Sequence, residues 1–206
     1  MMQLFHAWGS CSLASLIALE EADAACDLVI MDTKAGDQRR PEYLAINPKG
    51  RVPALVTDRG VLTETPAILA FIAQSFPEAR LAPLDDPFAF AEAQAFNSYI
   101  CATAHPAHAH RHRGYRWADQ ESSFEDMRRR VPGNMRECFG LIEEGLSKGP
   151  WVLGEAYSIC DPYLFTLSDW MEEDGVDPAE FPRVHAHRER VRARPAVRKV
   201  FAQKAS

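Results

Sequence analysis

The stretch Asn47-Pro48-Lys49-Gly50-Arg51-Val52-Pro53-Ala54-Leu55, followed by Thr63-Glu64-Thr65-Pro66-Ala67-Ile68, carries the reading of the fold. A loop delivers a proline to the start of an apolar run; a hairpin then leads into a helix that opens on an acid and a hydroxyl. Proline has no backbone N–H, so Pro53 marks a sheet edge or the first residue of a strand. The amides and carbonyls beside it stay free for a peptide-like guest. A cis Val52–Pro53 bond would turn the chain sharply and expose the backbone groups of Val52.

Upstream, Gln3–His6 is a short strand candidate ahead of the turn Trp8-Gly9-Ser10. From Ser12 to about Ala24, Leu13, Leu16, Ile17 and Ala18 fall at helical spacing. Asp27–Asp32 reads as a second strand, and Pro41–Ala45 as a short helix. Downstream, Ala54–Thr57 and Val61–Thr63 flank the turn signal Asp58-Arg59-Gly60. Pro66 then opens a helix with Ile68, Leu69, Ile72 and Phe76 on one face, ending before Pro77. The order βαβαββα, closed by a hairpin, predicts a mixed sheet in a thioredoxin-like α/β arrangement.

Beyond a proline-bearing link the period no longer changes. Phe90–Thr103, Phe124–Leu146, Asp161–Glu173 and Val184–Arg192 all carry apolar residues at about 3.6-residue spacing. Ser158-Ile159-Cys160-Asp161 is a capping-box analogue with Asp in the acidic place, and Tyr157 precedes it at a staple position. The expected organisation is an α/β domain over 1–78, a linker over 79–88 and an all-α helical-bundle domain over 89–206.

Composition narrows the function. Charged residues make up 25% of the 206-residue chain, and a net charge of -6 argues against nucleic acid as a partner. The five cysteines are scattered, odd in number and without C-x-x-C spacing, which predicts a reducing compartment rather than a disulfide framework. No Lys or Arg precedes the first apolar stretch and Glu20-Glu21 interrupts its end, so no secretory leader is expected. No apolar run approaches the ~20 residues of a membrane-spanning helix. The expectation is a cytoplasmic protein with no membrane partner.

The chemistry-bearing residues lie in two places. Gly9-Ser10-Cys11-Ser12-Leu13 joins the first strand to the first helix, placing Cys11 near a helix N-terminus. A thiol with its usual pKa of ~8.5 is mostly protonated at neutral pH, and lowering it by two units takes ~2.7 kcal/mol. A helix N-terminus supplies about 0.3–1 kcal/mol and a charge-assisted hydrogen bond about 1.5–3, so the dipole and one or two donors suffice. Four of the seven histidines fall within His105–His112, where His105, His108 and His112 recur about once per turn. No carboxylate or cysteine nearby completes a metal set, and Pro106 disturbs the helix there, so no metal is expected.

The ordered set of the Pro53 loop, the Glu64-Thr65 turn, the Gly-Ser-Cys-Ser-Leu run and Gly154–Asp161 resembles the glutathione transferase family, in its bacterial beta-like class. The resemblance implies a homodimeric enzyme that binds glutathione as co-substrate and stabilises its thiolate for attack on a small hydrophobic electrophile. It implies that Val52 pairs with the cysteinyl backbone beside Pro53 and Arg51, while Glu64 and Thr65 hold the γ-glutamyl end. A carboxylate suits the helix N-terminus after Thr65. Cys11, Ser10 or Ser12 would contact the thiol, and His105 would face it from the helical domain. His108, Tyr115 and Trp117 are candidates for the electrophile pocket, and Lys34 for the glycine carboxylate. The chain departs from the beta-like pattern at Arg51, where Gln is common, at Thr65 in place of Ser, and at Pro106. Two other functions fit the same residues: glutathione-dependent thiol–disulfide exchange with Cys11 as nucleophile, and a non-catalytic binding or regulatory protein.

Overall fold

The computed structural model describes residues 2–204. Strand β1 (Met2–His6) leads into α1 (Ser12–Glu21), β2 (Cys26–Ile30), α2 (Pro41–Ile46), the hairpin β3 (Ala54–Thr57) and β4 (Gly60–Thr63), and α3 (Thr65–Ser75). The strands form one sheet in the order β2-β1-β3-β4. β1 runs parallel to β2, while β3 is antiparallel to both β1 and β4, so the sheet is mixed as the hairpin requires. All residues of α1 from Ser12 to Leu19 are buried, which explains why its sequence is apolar on every side. It packs against α3 and, across the molecule, against helices of the C-terminal half. The other face of the sheet carries a small second core of Phe5, Ala7, Met31, Tyr43 and Ala54, with Tyr43 supplied by α2.

The C-terminal half is helical: α4 (Pro87–Tyr99), α5 (His105–Arg113), α6 (Glu121–Leu141), α7 (Cys160–Ser168), α8 (Pro182–Arg192) and α9 (Pro195–Lys204). Asp86 caps α4 by accepting from Phe88 N at 2.9 Å and Ala89 N at 3.1 Å. The helix expected to end at Thr103 instead runs on through a π-turn, Ile100–Ala104, directly into α5. In that turn the N–H of His105 reaches back five residues to the Ile100 carbonyl. Pro106 has no N–H to offer and its ring needs room against the preceding turn, and the wider π-turn supplies that room without breaking the helix. Helix α9 escaped the sequence reading, because Pro195 looks like a terminator when it is in fact a first-turn proline.

Asp161, fully buried, organises the start of α7. Its carboxylate accepts from Ser158 N at 2.6 Å, from Val152 N at 2.8 Å and from Ser158 Oγ at 3.2 Å, and it lies 2.8 Å from His187 Nε2 on α8. The same segment reaches the interdomain link, where Ile159 N–H donates to Leu81 O at 2.7 Å. Tyr157 meets Trp151 edge-on and lies under the Arg194 guanidinium. No helix among the described residues is long and apolar enough to cross a membrane.

Candidate active site

A cavity of about 340 Å³ opens where the ends of the sheet meet the π-turn, α5 and the turn after it. One wall begins at the loop Asn47–Pro53. Asn47, almost fully buried, donates from Nδ2 to the Arg51 carbonyl at 2.7 Å, and the Tyr43 hydroxyl donates to the same carbonyl at 2.6 Å. Gly50, at φ +58, closes the turn through its N–H to Asn47 O at 2.9 Å. The loop is therefore held from inside the protein, and the Val52–Pro53 bond that follows is cis. Arg51, Val52 and Pro53 all line the cavity.

The second wall is the entry to α3. Glu64 sits at φ 73, ψ 122, a conformation that costs a non-glycine residue on the order of 1–3 kcal/mol. Its carboxylate pairs with Lys49, whose ammonium also donates to Thr63 Oγ1 at 2.6 Å. No side chain caps α3, and Pro66 offers no N–H, so the first amides of this helix have no side-chain partner at the end where Glu64 and Thr65 line the cavity. Thr65 is 3% exposed. Its hydroxyl lies beside the Cys11 thiol and has no other hydrogen-bond partner among the described residues.

Cys11 stands at the N-cap of α1, with Sγ 3.7 Å from the Val52 carbonyl oxygen. Burial pushes its thiol up; the Thr65 hydroxyl and the Arg113 charge pull it back only in part. Cys11 is thus an S–H group, able to donate a hydrogen bond, rather than a standing thiolate. Ser10 reaches the cavity wall, but its hydroxyl donates to the Ala7 carbonyl at 2.8 Å. Ser12 does not reach the cavity, against the sequence expectation. Its Oγ is buried between His6 Nδ1 at 2.7 Å, Ser10 Oγ at 2.7 Å and the Ala7 N–H at 3.1 Å, tying the end of β1 to the first turn of α1. That arrangement makes Ser12, the first residue of α1, a structural residue that faces back onto the end of β1.

The helical half contributes His105, which lines the cavity opposite the Cys11 wall. Burial, then the positive charge of Arg113, lowers its pKa to about 3, so the imidazole is neutral at physiological pH. His108 does not line the cavity. It turns inward, stacks on Trp170 with ring centroids 4.1 Å apart, and places Nδ1 2.9 Å from both carboxylate oxygens of Asp174. Helical spacing alone put it beside His105, but the apolar face of α5 points at the core and carries His108 with it. His112 faces Glu173 at 3.1 Å. Tyr115 and Trp117 line the cavity mouth, both about half exposed. Lys34 is exposed and does not line the cavity, where Thr33, Gln38 and Arg39 stand instead.

The lining also includes residues that the sequence does not single out for the site, among them Cys101, Tyr163, Arg113 and Arg116. Cys101 is four residues before His105, and that spacing was the available signal. Tyr163 arrives from α7, and nothing local in the chain points to it.

The chain matches the family model described as the N-terminal domain of glutathione S-transferase over residues 1–74, and the C-terminal domain model over residues 98–195. It is 31% identical over 199 residues to the glutathione S-transferase GstA of Escherichia coli O157:H7, covering 95% of each chain. A solved glutathione transferase homologue from Sulfitobacter, with bound glutathione, is 43% identical at a TM-score of 0.96, over 99% of this chain and 98% of that one. The bacterial beta class enzyme of Sphingomonas chungbukensis is 31% identical at a TM-score of 0.82, over 95% and 94% of the two chains. With a mixed four-stranded sheet, an all-helical second half and these matches along nearly its whole length, the chain belongs to the glutathione S-transferase family.

Proposed function

We propose that the protein is a beta-like glutathione S-transferase that binds glutathione in the cavity between its thioredoxin-like and helical domains and presents the thiolate to a small hydrophobic electrophile. The observation that carries the reading is the unshared Thr65 hydroxyl, buried beside Cys11 at the uncapped N-terminus of α3. A γ-glutamyl carboxylate placed there satisfies the hydroxyl and the free amides together and takes up the favourable end of the helix dipole. The exposed edge after Arg51 pairs with the cysteinyl backbone through Val52, as an extended peptide pairs with a strand. Glu64, held by Lys49, is then near the ligand's ammonium.

In this geometry the glutathione sulfur lies at Cys11, which donates its S–H proton toward the thiolate. The α1 N-terminus and Arg113 add positive potential, while neutral His105 faces the reacting atoms from the other side. The nucleophile attacks a soft electrophilic centre held near Tyr115 and Trp117. A raised thiol pKa weighs against Cys11 as the attacking group in disulfide exchange, since the thiolate is the reactive species. Calorimetric titration with glutathione tests the reading: Thr65→Ala should weaken binding at least tenfold, about 1.4 kcal/mol. Absence of saturable binding to folded wild-type protein would overturn it.

The same reading makes the protein a cytoplasmic homodimer. Phe88, at the start of α4, is 75% exposed, an apolar area that a second copy would cover. Light scattering from the purified protein should return twice the chain mass of 23.1 kDa.

A further inference from the structure

The cavity proposed to hold glutathione is lined by four guanidinium groups, Arg39, Arg51, Arg113 and Arg116, and by a single carboxylate, Glu64, already engaged by Lys49. None of the four arginines has an ion-pair or hydrogen-bond partner among the carboxylates of the described residues, although most other arginines of the helical half do. Arg113 and Arg116 are half-buried, at the end of α5 and in the turn that follows it, on the same rim as Tyr115 and Trp117. They stand on the helical side of the cavity, whereas the residues proposed to grip glutathione stand on the sheet side. Half-burying like charges around one opening is unfavourable unless an anion joins them.

Glutathione alone does not balance this charge. Its two carboxylates and ammonium sum to one negative charge, and the thiolate brings a second, which leaves the rim arginines without a counter-ion. On the reading that this is a glutathione site, we infer that the second substrate is itself an anion: a carboxylate-bearing electrophile whose carboxylate is held by Arg116, with Arg113 between it and the thiolate. Guanidinium suits this role because its planar fork matches a carboxylate in two parallel hydrogen bonds. The aromatic faces of Tyr115 and Trp117 would bracket the body of such a molecule while its charged end turns to Arg116. The strain among the cations is visible in Arg116 itself, whose pKa is lowered by burial and then by the charges of Arg113 and Arg51. A bound carboxylate would relieve it.

A matched pair of electrophiles separates this inference from the function on which it rests. In 4-chloro-3,5-dinitrobenzoate and its methyl ester, the glutathione thiolate attacks the carbon bearing chlorine; a C–S bond forms, the C–Cl bond breaks, and chloride leaves with the electron pair. The wild-type enzyme should show kcat/KM at least tenfold higher for the acid than for the ester, after division by each uncatalysed rate. That preference should shrink as NaCl is raised, because the guanidinium–carboxylate attraction is screened. Arg116→Gln should lower the acid-to-ester ratio at least tenfold, and Arg116→Lys should restore part of it. The two glutathione conjugates provide a readout that needs no turnover: calorimetry should find the acid conjugate bound at least tenfold more tightly. Equal kcat/KM and equal affinity for acid and ester, or a ratio unmoved by Arg116→Gln in a folded variant, overturns the anionic substrate and leaves the transferase reading intact. Failure to bind glutathione and either conjugate overturns both.

Discussion

At the scale of single residues, burial decides roles that residue type leaves open. Cys11, Ser10 and Ser12 stand within three positions, and all three carry groups able to donate to a thiolate. The structure divides them: Ser12 is locked into the His6 network, the Ser10 proton goes to the Ala7 carbonyl at 2.8 Å, and Cys11 lines the cavity with Thr65 beside it and its Sγ 3.7 Å from the Val52 carbonyl oxygen. If Cys11 acts as a donor, Cys11→Ala should lower kcat/KM for conjugation only about 2- to 15-fold, equivalent to a lost hydrogen bond of about 0.5–1.5 kcal/mol. A loss of a thousandfold or more in steady-state conjugation assays would overturn the role of a single hydrogen-bond donor for Cys11. His105 is a cleft residue by resemblance to the beta-like class, and it lines the cavity. His108 differs, because a sequence repeats imidazoles at one-turn spacing without saying which face of the helix meets solvent.

At the scale of elements, the strongest local organiser is the carboxylate of Asp161. It satisfies the start of α7, the bend at Val152 and the imidazole of His187 at once, so one side chain joins the entry of one helix to the middle of another. Asp161→Ala would leave a buried imidazole and two amides without their acceptor. The expected cost is about 3–5 kcal/mol, the range for removing one partner of a buried pair, measured as a fall in the urea midpoint at unchanged slope. A loss under 1 kcal/mol would show that water replaces the carboxylate. The capping half of this motif was readable from Ser158-Ile159-Cys160-Asp161. Its tertiary half, the bond to His187, spans 26 positions and has no local signature. The π-turn before α5 belongs to the same class: Pro106 announced a disturbance, and only packing on both sides decided that the helix would widen rather than stop.

At the scale of the whole molecule, one continuous core joins the sheet to the helical half through α1, and the chain's last helix closes back on its first. Arg194 forms a two-point pair with Glu21, and Lys199 meets Glu20 at 2.5 Å, fastening α9 to α1. Buried neutral histidines make this assembly acid-sensitive. Burial lowers His6 to about 4 and His105 to about 3, against 6.5 for the unfolded chain, so below about pH 6.5 the unfolded state binds protons that the folded state refuses. Stability is therefore fully present above pH 6.5 and falls as pH drops toward 4, with His6 alone contributing about 3 kcal/mol to the fall. Urea unfolding between pH 7 and pH 4.5 should show the midpoint declining through this window. A midpoint constant to pH 5 would mean that both imidazoles already carry protons in the folded protein.

The order of periodicities along the chain was enough to determine the mixed α/β half and the helical half, and the edge proline and the hydroxyl at the head of a helix were enough to mark residues that line one cavity. These features are local, and local rules of backbone donors, turn residues and apolar spacing act on them directly. The cationic rim of Arg113 and Arg116, the turning of His108 to Asp174, the burial of Ser12 and the arrival of Tyr163 at the cavity were decided only by tertiary structure. Each depends on which side of a helix meets a partner from a distant part of the chain, and on the desolvation that follows, and neither is encoded in the spacing of neighbours.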